Sequence, residues 1–183
     1  EKEDQRVLNL YGQTEIGKRA LLARRLTEAG VCFVTIEYRP PELNGLGWDH
    51  HVDLARWFPV AATPYDQAIF ALINDLGEKG MLDDVLVLSF GEFGRTYKIN
   101  QYGGRDHWPN VGSVFLAGGG VPGGMVYGAS DKRGADVKDQ PVSPEDLLAT
   151  IYQLLGYPSS TRITRLDGRP HFITEGKPIK LNS

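Results

Sequence analysis

"YDQAIFALINDLGEKGMLDDVLVLSF", residues 65–90, carries two periodicities from which a fold class can be read. Ala68, Ile69, Leu72, Ile73 and Leu76 recur at helical spacing, giving this segment one apolar face, and Gly80 stops it. "DDVLVLSF" then runs apolar without alternation, the pattern of a strand covered on both faces. Upstream, "VCFVTIEY", residues 31–38, has the same character. A strand, a helix and a strand in that order form a crossover, and crossovers build parallel sheets. The expected fold is therefore α/β, layered, with a mainly parallel central sheet flanked by helices.

Working outward, "TEIGKRALLARRLTEA" at 14–29 reads as an amphipathic helix closed by Gly30. "GSVFLAGGG" and "GMVYG" read as two short strands. "SPEDLLATIYQLLG" reads as a closing helix, with Ser143 as N-cap, Pro144 at the first helical position and Asp146 three residues after the cap. The tail from Tyr157 has little periodicity. "GGGVPGG" lacks the spacing of a phosphate-cradling loop and reads as a turn.

The 183 residues suit one unit with a real core. A formal net charge of -3 leaves no basic footprint for nucleic acid, and no apolar run is long enough to span a bilayer. The one cysteine, Cys32, lies in the expected strand at 31–38 and reads as a small buried thiol. The chain opens without Met and enters a helix almost at once, which reads as a processed or partial product.

Loops leaving the carboxyl ends of strands collect ligands in such sheets. Three segments here are chemically loaded. "GWDHH" offers Asp49, His50 and His51, one oxygen and two imidazoles within three residues; the alternative is a solvated or capping cluster. "GEFGRT" offers Glu92 and Arg95 directly after a strand, a cation ligand beside an oxyanion fork, or else a salt bridge that stiffens a turn. "GGRDHWP" offers Arg105 and His107, with Asp106 placed to aim the imidazole and Gly103 and Gly104 giving the backbone freedom. Trp48, Trp108 and Pro109 read as pocket wall, and Tyr97, Lys98 and Asn100 as possible lining. Asp66, taken as a helix start, and His171 are weaker candidates. No serine stands in an activated motif, so a nucleophile is unassigned.

Taken together, "YGQTEIGKRALLARRLTEAGVCFVTI", "GWDHH", "DLGEKGMLDDVLVLSFGEFGRT", "GRDHWP", "AGGGVPGGMVYGASD" and "PEDLLATIYQLLG" resemble the bacterial family known as domain of unknown function 1501. The resemblance covers nearly the whole chain. It implies the alkaline phosphatase and sulfatase superfamily, whose members hold divalent metals between loops and hydrolyse phosphate or sulfate esters. It also implies a longer protein, of which this chain resembles the C-terminal portion, with the nucleophile in an N-terminal part and an exported, extracytoplasmic location. The implied function is a metal-dependent hydrolase of small-molecule or glycan phosphate or sulfate esters; the alternative is a non-catalytic binding or scaffold protein that keeps the charged pocket. The implied metal set is Asp49, His51, Glu92 and His107 around zinc, manganese or calcium, with Arg95, Arg105 and His107 facing the transferred group. Phe93 stands where the superfamily pattern has a second ligand, which implies at most one full metal site in this portion.

Overall fold

The computed structural model describes residues 3–39 and 47–181. They form four helices, α1 (Gln5–Tyr11), α2 (Glu15–Glu28), α3 (Leu54–Glu78) and α4 (Pro144–Leu154), and eight short strands. The strands are β1 (Val87–Phe90), β2 (Gly94–Arg95), β3 (His107–Trp108), β4 (Val114–Ala117), β5 (Ala129–Ser130), β6 (Val137–Asp139), β7 (Arg162–Thr164) and β8 (Pro170–Phe172). They pair only as four two-stranded antiparallel sheets: β1 with β4, β2 with β3, β5 with β6 and β7 with β8.

This overturns the layered parallel sheet expected from the crossover reading; the architecture is mixed α and β with antiparallel hairpins. The physical reason lies in the two apolar runs. Residues 31–38 form no strand, with Phe33 82% exposed, and among the described residues no strand pairs with β1 in parallel. β1 instead takes β4, which returns antiparallel after the excursion 91–113, with Val87 opposite Ala117 and Phe90 opposite Val114. An unbroken apolar run marks sequence that can be buried on both faces, but it does not name the partner. Cys32, expected to be a buried thiol, is exposed for the same reason. "GMVYG" forms no strand either; the pairing begins one step later, at β5. The stretch between the expected strand at 31–38 and "GWDHH" falls largely on residues 40–46, outside the described residues.

The chain divides into two compact units, one from residues 1–82 with 91–112 and the other from 83–90 with 113–183. In the first, α1 and α2 pack on α3. Thr14 caps α2 by accepting from the Gly17 N–H at 3.2 Å, and Gly30 follows the helix at φ +93°, in the left-handed region where glycine carries no Cβ penalty. Small residues line the packed faces: Ala20 of α2 and Ala61, Ala68 and Ala71 of α3 are at most 1% exposed, which lets the helix axes approach closely. Beneath them, Arg24, Asp75 and Tyr11 form a buried polar cluster. Burial works against the Arg24 charge, but Glu3, Asp75 and Glu28 outweigh it and raise its affinity for the proton. Burial and then the bond to Asp75 push the Tyr11 hydroxyl up as well.

α3 starts at Leu54, well before Asp66, and runs through Pro59 and Pro64. Its N-cap, Asp53, makes no side-chain cap bond. Instead the N–H groups of Asp53 and Leu54 donate to the carbonyls of Tyr102 and Gly103 at 3.1 and 2.9 Å. A loop distant in sequence thus supplies the acceptors that an N-cap side chain ordinarily provides.

In the second unit, α4 begins with the expected capping box: Ser143 Oγ accepts from the Asp146 N–H, and the Asp146 carboxylate accepts from the Ser143 N–H. The tail is laced along α4, with the Lys177 N–H donating to Asp146 and the Ile179 N–H to Thr150 Oγ1.

Candidate functional site

The β2–β3 hairpin sets Arg95 directly opposite His107 in register. Facing residues of an antiparallel pair present their side chains on one side, so the guanidinium and the imidazole become neighbours. Gly94 makes the hairpin possible: a Cβ there would lie 1.6 Å from the Val111 carbonyl oxygen. The segment that precedes α3 is sewn onto this hairpin's long loop. Val52 bridges to Gly103, and the Arg105 N–H donates to the His50 carbonyl at 3.0 Å. Gly104 sits at the crossing, where an added Cβ would meet the His51 carbonyl carbon at 2.0 Å. Gly103, at φ +74°, supplies the left-handed backbone instead. The two adjacent glycines therefore serve different needs, one of conformation and one of space.

These ties bring together residues far apart in sequence. Asp49 Oδ1 lies 2.9 Å from His107 Nε2 and 3.0 Å from His51 Nε2, and the two imidazole Nε2 atoms are 3.1 Å apart. Arg95 also pairs with Asp49 Oδ1. On its other side, His51 Nδ1 meets Asp106 Oδ1 at 2.9 Å, and Asn100 Nδ2 donates to that same oxygen at 3.0 Å. Among the described residues, Asp49, His51 and His107 form the group whose ligand atoms lie close enough to hold one ion, all within 4.8 Å.

Burial acts to raise the Asp49 carboxyl, but the hydrogen bonds of His107 and Arg95 and the Arg95 charge outweigh it and hold it below the usual carboxylate range. Hydrogen bonds from His51 and Asn100 lower Asp106 likewise. His50, 6% exposed and set edge-on to Phe58, is pushed down first by burial and then by the Arg95 charge. It stands outside the group of Asp49, His51 and His107.

The other candidates are placed as follows. Glu92 is largely exposed, and its nearest partner is Arg95 at 3.9 Å, so it stands outside the cluster. Arg105 turns away: its Nη1 donates to the Thr96 carbonyl at 3.0 Å and helps close the hairpin loop. Phe93 packs its ring 4.5 Å from that of His107 and supports the imidazole from the side. Trp48 lies edge-on to Tyr38, Phe58 and Tyr65, and Trp108 makes an edge contact with Tyr97. Asp66 lies exposed within α3 and His171 exposed in β8, both remote from these loops in the chain. Two residues carry more of the site than sequence reasoning assigned them. Asp106 faces His51 rather than its neighbour His107, and Asn100 joins both loops. The one local signal for Asn100 is its position before "QYGG", where an Asn can hydrogen-bond its own backbone two residues on.

An open cleft of about 580 Å³ adjoins the cluster, lined by His51, Val52, Asn100, Gln101, Tyr102 and Asp106. No helix of the described residues is long and apolar enough to cross a membrane.

No curated protein and no solved structure matches the chain. The model of a family described as "Protein of unknown function (DUF1501)" matches residues 1–181. A match of that extent, on a sequence whose loaded loops meet at one cluster, places the chain in a family: it belongs to DUF1501.

Proposed function

We propose that Asp49, His51 and His107 hold one divalent cation, and that the site serves the hydrolysis of a phosphate or sulfate ester. The observation that carries the reading is the closeness of three ligand atoms of the right kinds. Ligands of a tetrahedral zinc-like ion lie about 2.0–2.2 Å from it and so roughly 3.3–3.6 Å from one another; the separations here, 2.9, 3.0 and 3.1 Å, are hydrogen-bond lengths that a small outward shift opens to that span. Two imidazoles and one carboxylate favour zinc or manganese over calcium, which prefers oxygen alone. Such a cation, when bound, supplies a Lewis acid for an ester oxygen and an acidified water.

The chain's own residues provide the rest. Arg95, at the edge of the cluster, offers the fork that matches two oxygens of a tetrahedral anion. The adjoining cleft, about 580 Å³, offers space beside the cluster for the group the ester is attached to. The superfamily placement implied by the resemblance to domain of unknown function 1501 points, as an analogy, to the same reaction class.

A second reading, a non-catalytic binding or scaffold protein, draws on one specific observation. Asp49 already pairs with Arg95, so its charge is balanced without a cation. Equilibrium dialysis against Zn²⁺ or Mn²⁺ separates the two. The ester-hydrolase reading expects one ion per chain, lost in His51→Ala and in His107→Ala and retained in Glu92→Gln. Binding that is absent, or that survives loss of either histidine, sinks it. With the metal bound, turnover of a nitrophenyl phosphate or sulfate then decides between enzyme and scaffold.

A further inference from the structure

Asn100 uses its whole side-chain hydrogen-bonding capacity inside the site. Its Oδ1 accepts from the Tyr102 N–H at 2.9 Å and the Gly104 N–H at 3.0 Å. Its Nδ2 donates to the His51 carbonyl and to Asp106 Oδ1, each at 3.0 Å. Two donors and two acceptor positions exhaust a primary amide, so it has one orientation in which every bond is made. Asp106 is thereby tied down although its side chain is 53% exposed, a setting in which a lone carboxylate would ordinarily move freely.

The consequence falls on His51. An ionised carboxylate only accepts, and one faces each His51 nitrogen; Asp49 Oδ1 already accepts from Arg95 and from His107, whereas Asp106 takes its ring hydrogen from His51, so Nδ1 carries it. A neutral imidazole has one N–H, so Nε2 of His51 bears its lone pair. That lone pair points at Asp49 Oδ1, 3.0 Å away, and at His107 Nε2, 3.1 Å away. Two electron-rich atoms so placed need something positive between them. The His107 Nε2–H can serve; a cation can take its place as His107 moves its hydrogen to the other nitrogen.

We propose that Asn100 and Asp106 are a positioning pair that fixes His51 in the tautomer whose Nε2 is free to bind a cation. Neither residue touches the cation; Asp106 acts through His51 and Asn100 through Asp106. The inference rests on the reading of Asp49, His51 and His107 as a cation site.

The test has two arms on the whole chain. The first needs no metal and no variant: long-range ¹⁵N–¹H correlation of the imidazoles at about pH 8, where an ordinary imidazole is neutral. Wild-type His51 is expected to show hydrogen on Nδ1, and a signal on Nε2 would overturn the proposal. The second arm titrates Zn²⁺ into Asp106→Ala, Asp106→Asn and Asn100→Ala. Loss of a carboxylate behind a metal-binding histidine weakens the metal by about 10–100-fold. That loss is expected in Asp106→Ala, together with a mixed His51 tautomer. Asp106→Asn, which keeps an acceptor where Asn100 Nδ2 holds it, should retain most of the affinity. Asn100→Ala should weaken binding even with Asp106 present. An Asp106→Ala protein with unchanged tautomer and unchanged affinity overturns the pair. Should wild type bind no Zn²⁺ while His51 still shows the Nδ1 hydrogen, lost in Asp106→Ala, the metal reading fails and the positioning of His51 stands. If Asp106→Ala does not fold, the wild-type tautomer and the Asp106→Asn titration decide the matter.

Discussion

Arg24→Met lowers the unfolding free energy by about 3–5 kcal/mol, the loss expected when one partner of a buried ion pair is removed. The side chain is 1% exposed, and its Nε lies 2.8 Å from Asp75 Oδ2, itself buried. Without the guanidinium, the side-chain partner left to Asp75 among the described residues is the Tyr11 hydroxyl, which donates to it at 2.9 Å. A carboxylate so enclosed cannot recruit water, and one neutral hydrogen bond does not offset its desolvation. Glu3 and Glu28, which also pair with Arg24, lose less because each is partly or largely exposed. Urea unfolding followed by far-ultraviolet circular dichroism measures the loss. The double variant Arg24→Met with Asp75→Leu should recover most of it, since replacing a buried pair by apolar side chains is often near neutral. A loss below about 1 kcal/mol in the single variant would mean that Asp75 is not buried as described.

Gly104→Ala should dismantle the site while leaving the helices folded. The new Cβ would stand 2.0 Å from the His51 carbonyl carbon, 2.1 Å from its oxygen and 2.4 Å from the Val52 nitrogen. These are backbone atoms, so no rotamer change relieves the overlap and the strands of chain must separate. Separation breaks the bond from the Arg105 N–H to the His50 carbonyl and removes the acceptors that cap α3. The expected stability loss is about 1–3 kcal/mol, the usual range for overpacking. Zn²⁺ affinity should fall by about tenfold or more, because Asp106 and His107 shift away from His51. Gly103→Ala is the informative comparison. Its Cβ has room, the nearest atom lying 3.7 Å away, but its φ of +74° penalises a side chain by about 1–2 kcal/mol. It should lose stability and largely keep its affinity. Equal losses of affinity in both variants would refute the steric account.

What can be read from the chain alone depends on the range over which each signal acts. Thr14, Gly30 and Ser143 mark helix ends because each acts on backbone within three residues of itself. Pro59 and Pro64 conceal the first half of α3 for the complementary reason. A proline forfeits a local hydrogen bond, and a helix crosses it only when packing elsewhere holds both ends. Here one end is held by carbonyls 49 residues downstream in the chain, as the pairs Asp53 to Tyr102 and Leu54 to Gly103 show. The sheet misleads for a similar cause. "VCFVTIEY" and "DDVLVLSF" look alike, yet only the second contributes a strand, β1, and its partner β4 is antiparallel. In the site, the residue types in the three loops are legible as candidate ligands and forks. Which of them meet is not, because Glu92 and Arg105 differ from Asp49 and Arg95 only in where long-range bonds turn the backbone.

The distance along the chain between the two halves of the site has a thermodynamic consequence. Asp49 and His107 are 58 residues apart and His51 and Asp106 are 55, so whatever grips both sides closes a loop that contains all of α3. Loop closure of this length has a substantial entropic cost that rises only slowly with further length, and an ion held at both ends belongs to the folded state alone. Binding and folding are then linked: at about one hundred times its dissociation constant, such an ion adds about 2.7 kcal/mol of stability. If the proposed cation binds, the amide hydrogens of α3 should exchange more slowly in its presence and recover their original rates when a chelator removes it.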